Sequence, residues 1–280
     1  MSSERMIAVD IGNARIKLGL FDGDCANRFP EPIRTLPLLG DAPALDEIDG
    51  WLADANQRPL AWWIASVNRP AATRLVDWLC EQRPNDRITL VASGDLPLQV
   101  RLERPDMVGI DRLVDAVAVN RLRRQDRPAI IVDVGTAITV DAVSIDGAFL
   151  GGAILPGIQM SARALHEFTD LLPLLDMSEL DAPPAPLGTA TVPAMESGLF
   201  WGSVGAIREL IERLQQSLSE DGAAEPEICL TGGAGQSVAS LLGRHARHVP
   251  NLTLAGIVLT ACCSPHKSLH LKSPLPPGEG

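Results

Sequence analysis

Two stretches of the chain carry the same alternation of apolar and polar positions. RMIAVDIGNARIKLGLFDG, from Arg5 to Gly23, and PAIIVDVGTAITVDAVSIDG, from Pro128 to Gly147, share one layout. Each opens on a Val/Ile-rich run, reaches Asp-x-Gly, turns through small or polar residues, resumes as a second apolar run and closes on Asp-Gly. β-Branched residues with a period of two predict paired strands, and Asp-Gly favours a tight hairpin turn. Each stretch therefore reads as a β-hairpin with an aspartate at the end of its first strand. One such unit is weak evidence. Its recurrence, with helical and strand segments after each copy, predicts two α/β domains of related topology facing each other.

The remaining pattern fills in those domains. LADANQRPLAWWIASVN predicts a loop and then a strand ending near Ser66, with Trp62 and Trp63 straddling it and one ring inward. PAATRLVDWLCEQR places Leu75, Val76 and Leu79 on one helical face, and DRLVDAVAVNRLRR does the same with Leu113, Val114 and Val117. Further helices are predicted over SARALHEFTDLL, over MESGLFWGSVGAIRELIERLQQSL, the longest, and over SVASLLGRH. EICLTGGAG reads as a strand running into a glycine-rich turn. The expected division is an N-terminal domain over 1–120, a C-terminal domain over 121–264 and a Pro-rich, disordered tail over 265–280.

Composition narrows the classes. The 280 residues are 46% hydrophobic and 21% charged, enough for a sizeable core. Aromatics are only 4% and tyrosine is absent, so that core must be aliphatic. A formal net charge of −11 disfavours nucleic acid as a partner. The short basic run of Arg121, Arg123, Arg124 and Arg127 is broken by Asp126 and reads as a solvated helix end. Cys25, Cys80, Cys229, Cys262 and Cys263 show no CxxC spacing, which disfavours zinc, and an odd count without a disulfide framework fits a reducing compartment. The adjacent pair Cys262 and Cys263 points to no chemistry, and His166 and His245, without partner spacing, read as structural. With no export segment at MSSERM and no long uncharged apolar run, a cytoplasmic, soluble protein is expected.

Candidate chemistry sits at the turns. Asp10-Ile11-Gly12-Asn13 could present backbone N–H groups to an anion, with the carboxylate holding Mg²⁺ through water. Alone it could equally be an ordinary hairpin turn. Asp133-Val134-Gly135-Thr136 repeats the pattern and adds a hydroxyl, and Gly232–Gly235 supplies a third glycine-rich turn. Together they favour a nucleotide cleft between the domains. GxxxxGK[ST] is absent, which excludes a P-loop kinase, and the HRD and DFG signatures of protein kinases are absent too. Gly109-Ile110-Asp111-Arg112 opens a helix and has two readings. Asp111 either caps the helix or accepts the proton of a substrate hydroxyl; Arg112 either makes a surface ion pair or neutralises a phosphoryl or carboxylate group.

In order along the chain, these motifs resemble the type III pantothenate kinases. DIGNARIK resembles the family's first phosphate loop, GIDRLVDAVA its pantothenate-binding GxDR segment and DVGTAITVD its second loop. LGGAILPGIQMSARAL, GTATVPAMESGLFWG and LTGGAG are similar to later family segments, so the resemblance runs from Ile7 to about Ala261. It implies two ribonuclease-H-like domains of the actin, sugar-kinase and chaperone-ATPase superfamily, with a nucleotide cleft between them. It also implies a homodimer, with pantothenate phosphorylated by ATP at the start of coenzyme A biosynthesis. On this resemblance Asp10, Ile11, Gly12, Asn13, Ala14, Arg15, Ile16, Lys17 and Thr136 would contact ATP. Gly109, Ile110, Asp111, Arg112 and Thr191 would bind pantothenate, with Asp111 as proton acceptor and Arg112 offsetting charge. Asp10 would serve Mg²⁺, and Asp133 a monovalent cation, K⁺ or NH₄⁺. Three positions depart from the family pattern: Ala14 for Thr or Ser, Ile138 for a common Thr, and Leu102 where an aromatic often lines the pantothenate pocket. The rival readings are a non-catalytic nucleotide-binding regulatory relative and a kinase of the superfamily acting on another hydroxylated small molecule.

Overall fold

The computed structural model describes residues 5–22, 28–40, 43–52, 59–177, 182–219, 224–243 and 246–264. Cys25, His245 and the tail expected over 265–280 lie outside them. The described chain forms two compact units. The first holds the residues up to Leu98, then Arg104–Leu122 and those from Asn251 onward; the second holds Gln99–Glu103 and Arg123–Pro250.

The first unit is built on a five-stranded sheet of β1 (Met6–Ile11), β2 (Arg15–Phe21), β3 (Arg34–Leu39), β4 (Ala61–Ser66) and β5 (Arg87–Leu90), in the order β3-β2-β1-β4-β5. The hairpin strands pair antiparallel, and β1, β4 and β5 run parallel. Helix α1 (Glu47–Leu52) joins β3 to β4. Parallel neighbours need a crossover, which for β4 and β5 is α2 (Arg69–Gln82). Asn68 starts that helix by accepting the Ala71 N–H at 3.1 Å, and Pro70 fills a first-turn position that needs no donor. Period two sends Ile7, Val9, Ile11, Ile16, Leu18 and Leu20 to one face, where Ile48, Leu52, Leu75, Val76 and Leu79 cover them. Trp62 is fully buried and Trp63 half-buried, so one ring is inward as expected. Its Nε1 donates to Asp86 at 2.8 Å, and Asp86 also accepts the Leu60 N–H and pairs with Arg83. Helix α3 (Ile110–Leu122) closes this part of the unit.

The second unit repeats the plan with β6 (Ala129–Val134), β7 (Ala137–Val143), β8 (Phe149–Pro156), β9 (Glu227–Thr231) and β10 (Ala246–His248), ordered β10-β9-β6-β7-β8. Position for position this is the first sheet again, with the same parallel and antiparallel pairs. Helices α4 (Ile158–Glu167), α5 (Thr191–Ser219) and the short α6 (Gly235–Ala239) complete it. The chain is therefore α/β, with two ribonuclease-H-like units that repeat one sheet topology. Helix α7 (Leu252–Cys263) belongs to the first unit and crosses α3 closely, because Gly256 leaves room for the Val114 backbone.

Several expectations change. The division runs differently from 1–120 and 121–264, since α7 joins the first unit and residues 99–103 join the second. The helix expected over 161–172 runs from Ile158 to Glu167, and α5 begins at Thr191. Of the described part of SVASLLGRH, only the stretch up to Ala239 is helical. Arg123 is not solvated: it is 5% exposed, and its guanidinium donates to the carbonyls of Arg124 and Arg127. Cys80, Cys229 and Cys263 stand outside any disulfide, whereas Cys262 is disulfide-bonded, which the cysteine pattern did not anticipate. No helix among the described residues is long and apolar enough to cross a membrane.

Candidate active site

In the first unit, Asp10 lies opposite Lys17 in the β1–β2 ladder, and Ile11 lies opposite Ile16. Ile11 and Ile16 are buried in the core, so Asp10 and Lys17, one residue out of phase, occupy the other face of the sheet. That face is covered by α7, since Gly19 on β2 meets Leu254, and α3 packs on α7. Asp10 and the helix that carries Asp111 in its first turn thus share one side of the sheet. Between the strands, the loop over 12–15 is closed by the Gly12 N–H donating to the Arg15 carbonyl at 3.0 Å. Asn13, Ala14 and Arg15 are exposed on it.

A glycine after the third strand braces this loop. The Gly40 N–H donates to the Ala14 carbonyl at 2.9 Å, and any Cβ at residue 40 would fall 2.9 Å from the Asn13 carbonyl oxygen. Arg74, on α2, holds the Gly40 carbonyl in turn at 2.9 Å. Ala14 therefore contributes its backbone, and the missing hydroxyl leaves that bond intact.

Asp111 sits half-buried in the first turn of α3. Its Oδ1 accepts the Arg112 N–H at 2.9 Å, so the capping reading holds in part, because one unpaired N–H of the helix end is satisfied. Oδ2 has no hydrogen-bond partner among the described residues. The carboxylate lies where a side chain at residue 109 would begin, so only glycine there admits it. On its other side Gly109 meets Val67, 3.6 Å from where its Cβ would be, and the Val67 N–H donates to the Ile11 carbonyl at 3.0 Å. The Gly109–Arg112 segment is thereby tied to the end of the strand that carries Asp10.

The second unit builds the same device. Asp133 lies opposite Thr139 and Val134 opposite Ile138, leaving a shorter loop over 135–137 closed by the Gly135 N–H donating to the Ala137 carbonyl at 3.0 Å. Thr136 is exposed on it, while Ile138 is buried in the core and takes no part in the loop. Gly157, directly after β8, donates its N–H to the Thr136 carbonyl at 3.0 Å, in the position that Gly40 occupies in the first unit. Gly232 has φ +92°, and its missing side chain makes room for the Asp133 carboxylate and the Val134 backbone. His248 abuts Gly235 in the same glycine-rich turn, its Nε2 3.2 Å from where a Cβ would stand. Thr191, exposed at the start of α5, borders an apolar hollow of about 490 Å³ with Leu165, Leu172, Met195 and Leu199. No residue of the two loops lines that hollow. Leu102 packs against Gly151 of β8, in the second unit.

Among the described residues no three acidic, His or Cys side chains cluster as a metal cage. A Mg²⁺ ion held by one carboxylate, phosphate oxygens and waters needs no such cage, so the donor set around Asp10 fits that mode. Gly40, Arg74, Gly157 and Gly256 escaped the sequence reading because each acts through a contact with a distant segment.

Comparison with known proteins places the chain. The sequence pattern of the type III pantothenate kinases matches residues 6–213. A type III pantothenate kinase of Rubrobacter xylanophilus is 35% identical over 90% of this chain and 95% of its own length. One of Chlorobaculum parvum is 36% identical over 83% and 85%, and one of Paramagnetospirillum magneticum 34% identical over 77% and 82%. Among solved structures, a Campylobacter jejuni protein assigned to the Baf family of transcriptional activators superposes with a TM-score of 0.53 over 91% of this chain and 96% of its own, at 21% identity. That likeness speaks to the fold alone.

Proposed function

This chain belongs to the type III pantothenate kinase family, and from that premise we propose how its own residues carry the reaction. The protein is a phosphotransferase with an alcohol acceptor: it moves a phosphoryl group from ATP to pantothenate, forming 4′-phosphopantothenate, the first step of coenzyme A biosynthesis. The observation that carries our assignment of its chemistry is the seat of Asp111, a carboxylate admitted by Gly109 with one oxygen tied to the Arg112 N–H.

Phosphoryl transfer through a loose transition state needs alignment and charge neutralisation more than covalent help. Asp111, with Oδ1 fixed, turns Oδ2 to the terminal hydroxyl of pantothenate, orients it and takes its proton as the bond to phosphorus forms. Arg112 offsets charge on the transferred group. Asp10 to Lys17 hold the triphosphate through loop backbone and the Lys17 ammonium, and Thr136 offers its hydroxyl to ATP. Asp10 would hold Mg²⁺ through water and Asp133 a monovalent cation, K⁺ or NH₄⁺; bound there, they neutralise phosphate charge. Gly109, Ile110 and Thr191 are each assigned to pantothenate in this reading.

The protein acts in the cytoplasm as a homodimer in this reading. Phe168, Leu171 and Leu187 are 81%, 87% and 78% exposed in the second unit, an apolar display that favours self-association. Thermal unfolding tests the ligand assignments, because a ligand of the native state raises its melting point by mass action. ATP with Mg²⁺ and pantothenate should each raise Tm, and K⁺ should enlarge the ATP shift. An ATP shift that Asp133→Ala leaves fully K⁺-dependent would remove Asp133 from the cation site.

A further inference from the structure

The loop over 12–15 keeps its shape through a glycine distant in sequence, and that glycine is itself held by a side chain. Asn13, Ala14 and Arg15 are exposed, and within the loop the Gly12 N–H donates to the Arg15 carbonyl. The Ala14 carbonyl is held from outside, by the Gly40 N–H at 2.9 Å. The loop lies flat on this glycine: a Cβ at residue 40 would stand 2.9 Å from the Asn13 carbonyl oxygen and 3.0 Å from the Ala14 carbonyl carbon. Gly40 is buried, so its own carbonyl needs a partner. Arg74 supplies one, its Nη2 donating at 2.9 Å. On α2, Arg74 is followed by Leu75 and Val76, both 0% exposed, which anchor in the core the helix from which the guanidinium reaches. Two hydrogen bonds in series, Arg74 to Gly40 and Gly40 to Ala14, thus link α2 to the loop.

The second unit meets the same need through backbone. Gly157 braces the Thr136 carbonyl, and because Gly157 is the N-cap of α4, its own carbonyl accepts the Ser161 N–H at 2.9 Å. The helix after Gly40, α1, begins only at Glu47, and its first N–H groups go to the Ala44 and Leu45 carbonyls instead. A side chain takes the part that a helix start plays in the other unit.

We propose that Arg74 is a positioning residue for the nucleotide: by holding the Gly40 carbonyl it keeps Gly40 on Ala14, and so keeps the loop over 12–15 in the shape that receives the triphosphate. This rests on the reading of Asp10–Lys17 as the ATP-binding segment. Without the guanidinium the loop samples other shapes, and apparent ATP affinity falls with the fraction of molecules still in the competent one.

The test compares Arg74→Ala and Arg74→Lys with wild type in the full-length protein. Loss of a charge-assisted hydrogen bond is worth about tenfold in such an equilibrium. Arg74→Ala should therefore bind ATP with Mg²⁺ about tenfold more weakly by calorimetry and raise KM for ATP by about the same factor. Because saturating ATP restores the loop, kcat and the KM for pantothenate should stay within about twofold of wild type. Hydrogen exchange read by peptide should speed up over 12–17 and not over 129–143. Arg74→Lys keeps a charged donor and should recover most of the lost affinity. The proposal fails if Arg74→Ala matches wild type in ATP affinity or in exchange over 12–17. It also fails if ATP and pantothenate parameters decline together in step with a lowered Tm, the mark of general destabilisation, or if lysine recovers nothing. Wild-type protein that binds no ATP would sink the reading of Asp10–Lys17 instead, while the exchange arm would still decide whether Arg74 holds the loop.

Discussion

Replacing Gly109 with alanine should separate the fold from the chemistry. The new Cβ would fall inside the contact distance of Asp111 Oδ1, closer than real atoms approach, and Val67 Cγ1 stands 3.6 Å away on the other side. Two responses are open: the backbone shifts, or the carboxylate turns aside. The second is far cheaper, because Oδ1 ends a short side chain and gives up one hydrogen bond, to the Arg112 N–H. Gly109 is not among the glycines of positive φ, so alanine is not strained there. It even stiffens the unfolded chain, a gain of about 0.4–1 kcal/mol that roughly offsets the lost bond. Tm should therefore move little. Catalysis should not be spared, since regaining a normal contact moves the carboxylate by about 1 Å, and a displacement of that size costs about 10²-fold in rate. Steady-state ADP release at saturating ATP and pantothenate, beside a thermal melt, measures both. Wild-type kcat with unchanged Tm would refute the reasoning, because the carboxylate would then have no need of the space that glycine leaves.

Other outcomes follow from the same structure. Asp86→Ala strands the Trp62 Nε1–H, the Leu60 N–H and a nearly buried Arg83, so denaturant unfolding should show a loss of about 3–5 kcal/mol with ATP affinity per folded molecule unchanged. Gly232→Ala forces a side chain onto a φ of +92° and to 2.5 Å from the Val134 N and O, so it should cost at least about 1–3 kcal/mol and weaken ATP binding, read by denaturation and calorimetry. The Asp146 carboxyl titrates below its ordinary range because of the Ser144 hydroxyl and Arg101, so its contribution is complete above the unfolded value of about 4 and is lost as pH falls through the lower folded value. The Tm difference between wild type and Asp146→Asn should accordingly be constant near neutrality and shrink only under acid conditions.

What could be read from the sequence follows from where the physics is local. The two Asp-x-Gly hairpins were legible because β1–β2 and β6–β7 pair through a short turn, and their alternation is strong. The outer strands were not: β3 carries Pro37 and exposes alternate residues, β8 has Gly151 and Gly152 in its middle, and β5 and β10 are short. Helix α7, LTLAGIVLTACC, is buried nearly all round, and an apolar run without a polar stripe carries no period to read. Its membership of the first unit, through the Gly256–Val114 crossing, is a long-range fact. Arg123 misled for a related reason. Its charge signals solvent, but nearby carbonyls let the guanidinium be buried with its donors satisfied. Among the candidate residues, Asp10, Asp111 and Asp133 stood out as motif residues, while the supports for the two hairpin loops, Gly40, Arg74 and Gly157, come from elsewhere in the sequence and became visible only with the third strands in place.

The account turns on one carboxylate delivering the acceptor hydroxyl to ATP. Product formation by wild type and Asp111→Asn, followed as 4′-phosphopantothenate by mass spectrometry with ATP, Mg²⁺ and K⁺ present, tests it most directly. Wild type should make product only when pantothenate is supplied, and Asp111→Asn, with an unchanged melt, should make it about 10²–10⁴-fold more slowly. Asparagine at that position working at the wild-type rate would contradict the account.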